Sequence, residues 1–217
     1  MKEKMMKETC YSYSWDLVSS VYLQRYPTTP LFPMLLNHEI SLIRWKVEDG
    51  LFYCEKRSTM FVPVPKVLQK VSKVDHCYIY QNLVIDIPHQ IMKESSWNRV
   101  DAKTYHMLEN AIWSGDENGH TQFSVDSIIS ISPKIPKPVA KPVLKRVVKE
   151  FNNGYDLARK VDKVMIEDFE DKITSLVKSI REFCDRQMEH QHLFVDLDFS
   201  TSFEYCFELP ELTGKYI

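Results

Sequence analysis

The stretch that decides the fold is VLKRVVKEFNNGYDLARKVDKVM, Val143 to Met165. Leu144, Val147, Phe151, Tyr155, Ala158, Val161 and Met165 recur in it at steps of three or four, the period of one buried helix face. Phe169, Ile173, Leu176 and Ile180 carry the stripe on, to about ten turns against about three for an ordinary helix. The expectation is a long closing helix, either unbroken as a brace across a sheet or broken near the acidic Glu167 to Asp171. Pro142 fits its first turn, where a missing N–H costs nothing, and Ser132-Pro-Lys-Ile-Pro-Lys-Pro138 reads as a stiff extended connector ahead of it. Gly154 costs about 1 kcal/mol against alanine in a helix. It marks a close approach to a ligand or the sheet, or it is simply tolerated.

Upstream, the chain reads mostly as strand. Cys10 to Tyr13 alternates as a short first strand, and Ser14 is placed to cap a helix carrying Trp15, Val18, Val21 and Tyr22, which Pro27 and Pro30 stop after Arg25. Leu36 to Val62 holds two strand runs around the turn Glu48-Asp49-Gly50. Pro63 and Pro65 open a short segment, Lys66 to Ser72, with Val67, Leu68 and Val71 on one helical face. His76 to Ile87, Gln90 to Trp97, Lys103 to Trp113 and His120 to Ile131 supply four more strand runs, the last two joined by the turn Gly115 to Gly119. Sequential strands pair antiparallel, so the class is α+β: a sheet of about six to seven strands closed by a long C-terminal helix. Helices at the two ends of such a run pack on one face of it. Residues 1–190 are expected to form one domain, with 191–217, mixing strand-like aromatics with acids, as a separate tail.

Composition narrows the function. A chain of 217 residues with 44% hydrophobic and 27% charged residues supports one domain with a core and is not a wholly disordered chain. A net charge of −2 gives no global attraction to nucleic acid, so nucleic acid is not an expected partner. Cys10, Cys54, Cys77, Cys184 and Cys206 are odd in number and lack zinc or redox spacing, which fits reduced thiols. There is no apolar run long enough to span a membrane, and Met1 to Glu8 has the pattern of neither a secretion signal nor a mitochondrial presequence. Glycine-rich nucleotide loops, H-E-x-x-H and G-x-S-x-G are absent. The histidines lie mostly one per element, and His190 and His192 are spaced to fall on different sides of a helix. No metal, cofactor or catalytic site is expected.

Three features point to ligand chemistry. Lys134, Lys137, Lys141, Lys145, Arg146 and Lys149 gather at the start of the long helix, the end where the macrodipole disfavours cations and free N–H groups attract anions. They suit an anion, an anionic membrane surface, or a solvated basic face balanced by Glu150 and Asp156. In Val62 to Ser72, Val62, Val64, Val67, Leu68 and Val71 alternate with Lys66 and Lys70, which suits a segment dipping into a lipid interface or an amphipathic helix packed on the sheet. Arg25, at the end of the first helix, is either a dipole cap or a bidentate phosphate ligand.

Together these residues resemble the PRELI family of lipid-transfer domains. The likeness rests on the first strand, the helix ending in Arg25-Tyr26-Pro27 with Pro30 after it, and the Asp49-Gly50 hairpin. It continues through the charged strand Glu55-Lys56-Arg57, the proline-led segment after Val62, the run Glu94 to Trp97 with Asn98-Arg99, and the Lys-rich closing helix, covering residues 7 to 190. Pro30-Leu-Phe-Pro-Met34 is most similar to PRELI domains that precede CRAL-TRIO domains. The resemblance implies a helix-grip fold in which a curved antiparallel sheet and the long helix enclose one phospholipid, of the phosphatidic acid or phosphatidylserine class. It implies Arg25, with Lys145 and Lys149, at the headgroup. The lid would be Val62, Val64, Lys66, Val67, Leu68 and Val71, and the basic membrane patch Lys134, Lys137, Lys141 and Arg146. It also implies transfer between membranes without catalysis, a small helical twin-cysteine-motif partner, and the mitochondrial intermembrane space, with the cytoplasm as the alternative. A non-transferring adaptor that docks on membranes or a protein is the competing reading.

Overall fold

The computed structural model describes residues 1–25, 30, 31, 33–61, 76–98, 105–169 and 175–191. Seven strands form one open antiparallel sheet: β1 (Lys2–Tyr11), β2 (Leu35–Lys46), β3 (Leu51–Phe61), β4 (His76–Asp86), β5 (Ile91–Asn98), β6 (Tyr105–Gly115) and β7 (Thr121–Ile131). The spatial order is β1-β7-β6-β5-β4-β3-β2, so β1 and β2 are the edges. β1 starts at Lys2 rather than at Cys10 as its alternation suggests. Its charged first half lacks an apolar face, and the ladder with β7, from Lys2 opposite Ser130 to Tyr11 opposite Thr121, holds it extended. Lysines on such an edge also discourage pairing with a foreign strand. Register shifts at Leu35/Asn37 and Ile40/Leu42 mark irregularities in β2, where bulges bend a strand. Gly50 closes the β2–β3 turn at φ 64°, and a Cβ there would meet Pro88 Cδ at 2.9 Å, so both conformation and space require glycine.

Helix α1 (Trp15–Gln24) follows β1, and Ser14 caps it as expected, its hydroxyl accepting from the Leu17 N–H at 3.4 Å. The long apolar stripe is two helices. α2 (Lys137–Phe169) and α3 (Leu176–Gln191) part next to the acidic stretch, so the unbroken brace is not formed. α2 begins at Lys137, shortening the connector to Ser132–Pro136 and leaving Pro142 inside the helix rather than at its start. The Pro136 carbonyl accepts from Val139 and Ala140 and sets the first turn before Pro142 can interrupt it.

All three helices pack on one sheet face: α1 against α2, α3 and β6, α2 against β7 and β1, and α3 against β2. This is the helix-grip arrangement. At the base, where β1 runs into α1 and the tight β2–β3, β4–β5 and β6–β7 turns lie, Trp15, Leu23, Phe52, Ile85, Met92 and Phe183 are fully or almost fully buried. At the opposite end, the mouth, a smaller cluster of Ile129, Ile131, Ala140, Val143 and Leu144 is buried, with Met5, Tyr105, Met107, Val147, Val148 and Phe151 only partly covered. A Cβ on Gly154 would meet nothing within 4 Å, so this glycine marks no close approach to the sheet. Among the described residues no helix is long and apolar enough to cross a membrane.

Candidate functional site

Every second side chain of each strand points at the helices. The inward positions of β3 run Phe52, Cys54, Lys56, Ser58 and Met60, so a lysine falls among apolar neighbours. Gln81 in β4, Ser96 in β5, Glu109 in β6 and Ser127 in β7 do the same. The register sets these residues side by side, Lys56 opposite Gln81, Gln81 opposite Ser96, Ser96 opposite Glu109 and Glu109 opposite Ser127. A polar belt thus crosses the inner face between the base core and the mouth cluster.

At one end of the belt the Lys56 ammonium has no exposed surface. It lies 2.7 Å from Glu94 Oε2 and donates to the Tyr22 hydroxyl at 2.7 Å, with its Nζ 4.7 Å from the Tyr22 ring centroid. The Tyr22 hydroxyl in turn donates to Glu94. Gln81 Nε2 donates to the other Glu94 oxygen at 2.9 Å, and Ser58 donates to Gln81 Oε1 at 2.7 Å. His38 Nδ1 stands 3.3 Å from the Ser58 hydroxyl. Burial, reinforced by the Lys56 charge, pushes the His38 pKa down to about 2. The ring is therefore neutral, and because the Ser58 proton is committed to Gln81, Nδ1 carries the hydrogen. A buried charge survives only with such a complete set of partners.

A second network joins α1 to α2. Asp162 accepts from Arg25, from Arg159 at 3.0 Å and from the Tyr11 hydroxyl at 2.7 Å. Arg25 also donates to the Ala158 carbonyl at 3.4 Å and lies over the outer part of the Tyr22 ring, 5.4 Å from its centroid. Arg159 stacks on Phe123 at 4.1 Å; burial lowers its pKa to about 10, with Arg25 adding to the fall and Tyr11 opposing it. It stays cationic at neutral pH. The Nε atoms of Arg25 and Arg159 are both buried without a hydrogen-bond partner among the described residues.

Glu109 completes the belt. Among the described residues its only hydrogen bond is from Ser127, at 3.4 Å, and none of their cations forms an ion pair with it. Burial, and next the neighbouring Glu94 charge, push its pKa up to about 7, yet the residue keeps some accessible surface. Among the described residues of this belt no nucleophile, base and orienting group stand in line, the arrangement that acyl transfer needs. Burial raises the thiols of Cys54 and Cys184, the latter to about 12, which keeps both protonated at neutral pH.

Of the residues expected at the headgroup, Arg25 sits in the interior, while Lys145 and Lys149 are exposed. They precede Ala158 by thirteen and nine residues, about 20 and 13 Å along the helix from the point that Arg25 touches. Lys134, Lys137, Lys141 and Arg146 are exposed as well, spread around the connector and the first turns of α2, where Arg146 pairs with Glu150 at 2.8 Å. Val62, Val64, Lys66, Val67, Leu68 and Val71 lie outside the described residues. Sequence reading passed over Lys56, Glu94, Glu109, Arg159 and Asp162 as site residues. The signal was a charge at an inward position, such as Lys56 between Cys54 and Ser58 or Glu109 between Met107 and Ala111.

The model of the PRELI-like family matches residues 16–172. A CRAL-TRIO domain-containing protein of Caenorhabditis elegans is 20% identical over 179 residues, 82% of this chain and 24% of that protein. The chain therefore spans about a quarter of that relative's length. Protein ups1 homolog of Schizosaccharomyces pombe is 24% identical over 147 residues, 68% of this chain and 85% of that protein. Among solved structures, the ZhuI aromatase/cyclase of Streptomyces sp. R1128 is similar in fold, with a TM-score of 0.52 at 13% identity over 78% of this chain and 96% of that one.

Proposed function

Since this chain belongs to the PRELI-like family, we propose that it takes one phospholipid out of a membrane, encloses it between the sheet and α2, and releases it into another. The observation that carries this reading is the contrast inside the grip. Cations sit buried at the belt, and beyond them apolar side chains point inward with surface still open. A phospholipid matches both, its phosphate meeting Arg25 and Arg159, whose Nε groups lack partners, and its acyl chains lying along Met107, Val148 and Phe151. No bond is made or broken in such a cycle.

In this reading Val62 to Ser72 is the lid. Lys134, Lys137, Lys141 and Arg146 hold the mouth against an anionic membrane, at about 1 kcal/mol per residue near the surface. Lys145 and Lys149 attend the headgroup as it enters rather than where it rests. Phosphatidic acid and phosphatidylserine are the proposed cargo classes, the mitochondrial intermembrane space the proposed location with the cytoplasm as alternative, and a small helical twin-cysteine protein the proposed partner. Residues 1–190 act as the lipid-binding unit, with 191–217 as a separate tail.

Transfer of phosphatidic acid and phosphatidylserine between liposomes tests the proposal. Wild-type protein should move at least one of them, and Arg25→Glu should slow it by about ten- to a hundredfold, the worth of a charge-assisted hydrogen bond. If the wild type moves neither, or Arg25→Glu moves both at the wild-type rate, the proposal fails. These exposed basic residues also support a second reading, membrane docking without transfer. That reading predicts liposome binding that weakens steeply with salt and no lipid movement.

A further inference from the structure

The interior charges do not cancel locally. Lys56 is matched by Glu94, whereas Arg25 and Arg159 share the single carboxylate of Asp162 and leave one positive charge in excess. The carboxyl group with no cationic partner among the described residues is Glu109, which sits in the same belt within electrostatic range of Arg159 but not in contact with it. A lone phosphate would satisfy the arginines and worsen the position of Glu109, since like charges brought together in a poorly solvated space repel strongly. A headgroup that carries a positive group a few bonds from its phosphate would satisfy both.

We propose that Glu109 is an ammonium-binding residue, so that the cavity takes phospholipids whose headgroup bears a free amine beside the phosphate. The inference rests on the lipid-binding reading above and adds the chemistry of the headgroup. The ammonium would donate to the Glu109 carboxylate, whose single long bond from Ser127 leaves acceptor capacity unused, while the phosphate lies at Arg25 and Arg159. Asn152, seven residues before Arg159 and so about two turns along α2, carries a buried Oδ1 without a donor, a further acceptor on the helix that roofs the cavity. The raised pKa of Glu109, about 7, fits a carboxyl group that a ligand's cation would hold ionised.

The test is competitive loading of the full chain from vesicles holding equal amounts of phosphatidic acid, phosphatidylglycerol, phosphatidylserine and phosphatidylethanolamine with identical acyl chains, read by native mass spectrometry. Wild-type protein should load the two amine-bearing lipids over the other two by about ten- to a hundredfold, the range of one charge-assisted hydrogen bond. Phosphatidylethanolamine acetylated on its nitrogen should lose that advantage, which probes the ammonium without altering the protein. Glu109→Gln, nearly isosteric and able to keep the Ser127 bond, should still load lipid but without preference. Loading with no amine preference, or a preference that survives Glu109→Gln or acetylation, overturns the inference and leaves lipid binding standing. Loading of no lipid at all overturns both.

Discussion

At the base, Phe52, Ile85, Met92, Trp113 and Phe123 stand in one registered row and all are buried, Phe52 against α3 and Phe123 against Tyr155 and Arg159 of α2. At the mouth, Tyr105, Met107, Val147, Val148 and Phe151 belong to the same interior, yet each keeps accessible surface. The residue types are alike and the strands are the same; what differs is the cover. α1, α3 with its edge-to-face pair Phe52–Phe183 at 6.1 Å, and the later turns of α2 fill the base, whereas among the described residues only the first turns of α2 lie over the mouth. Apolar surface left open inside a protein forfeits about 25 cal/mol per Å², which an acyl chain would recover. The base is thus the part that holds the fold, and the mouth the part held ready by it.

The sharpest way to break that division is through the belt that separates the two ends. Glu94→Ala leaves the Lys56 charge buried with its carboxylate gone, and should cost about 3–5 kcal/mol of unfolding free energy in urea. Loss of under about 1 kcal/mol would mean that water reaches Lys56 and the base is not sealed. Truncations compare the ends directly. Phe52→Ala should cost about 3–5 kcal/mol, because the base cannot close over the gap. Met107→Ala should cost about 1 kcal/mol or less in the lipid-free protein while reducing the lipid it retains. Equal costs would remove the distinction.

Glu109 gives a comparison on the pH axis. Its folded pKa is raised from an ordinary 4.5 to about 7, by burial first and the Glu94 charge second. The folded state therefore binds the proton more tightly than the unfolded chain does. The stability it contributes is fully present below pH 4.5 and is lost as pH rises through 7, by about 3 kcal/mol in all. Lipid-free Glu109→Gln should lack this component, so its unfolding free energy should gain on the wild type between those pH values. Parallel curves would place Glu109 in contact with bulk water. The smallest effect is at Gly154, where alanine meets nothing and should stabilise α2 by about 1 kcal/mol without changing lipid loading.

Much of the frame was legible in the chain. The strand runs from Leu36 onward, the Asp49-Gly50 turn, the Ser14 cap and the helix stripe each announce themselves through local periodicity or turn chemistry, which needs no knowledge of neighbours. β1 was half hidden, because Lys2 to Glu8 are extended by their partner strand and carry no apolar alternation of their own. The belt was hidden for a related reason. Lys56, Gln81, Ser96, Glu109 and Ser127 become neighbours only once the register of five strands is set, and no single strand encodes it. Arg25 was visible from its place at a helix end, while its partner Asp162 lies far along the chain. Lys145 and Lys149 show the converse: a run of charge on an exposed helix stretch is conspicuous in the chain, while the charges inside are single letters in apolar strands.

The ladder between β1 and β7 also governs how the molecule is made. Met5 pairs with Ser127 across more than a hundred intervening residues, and α1 packs against α3 across a still longer span. Contacts of such separation slow folding to the millisecond-to-second range, because the chain loses its freedom before the contacts repay it. A nascent chain that has emerged only as far as β6 has neither its last inner strand nor its first in place. The closed sheet face is therefore expected among the last features to form, and substitutions at the β1–β7 seam should appear first as a lower yield of folded protein.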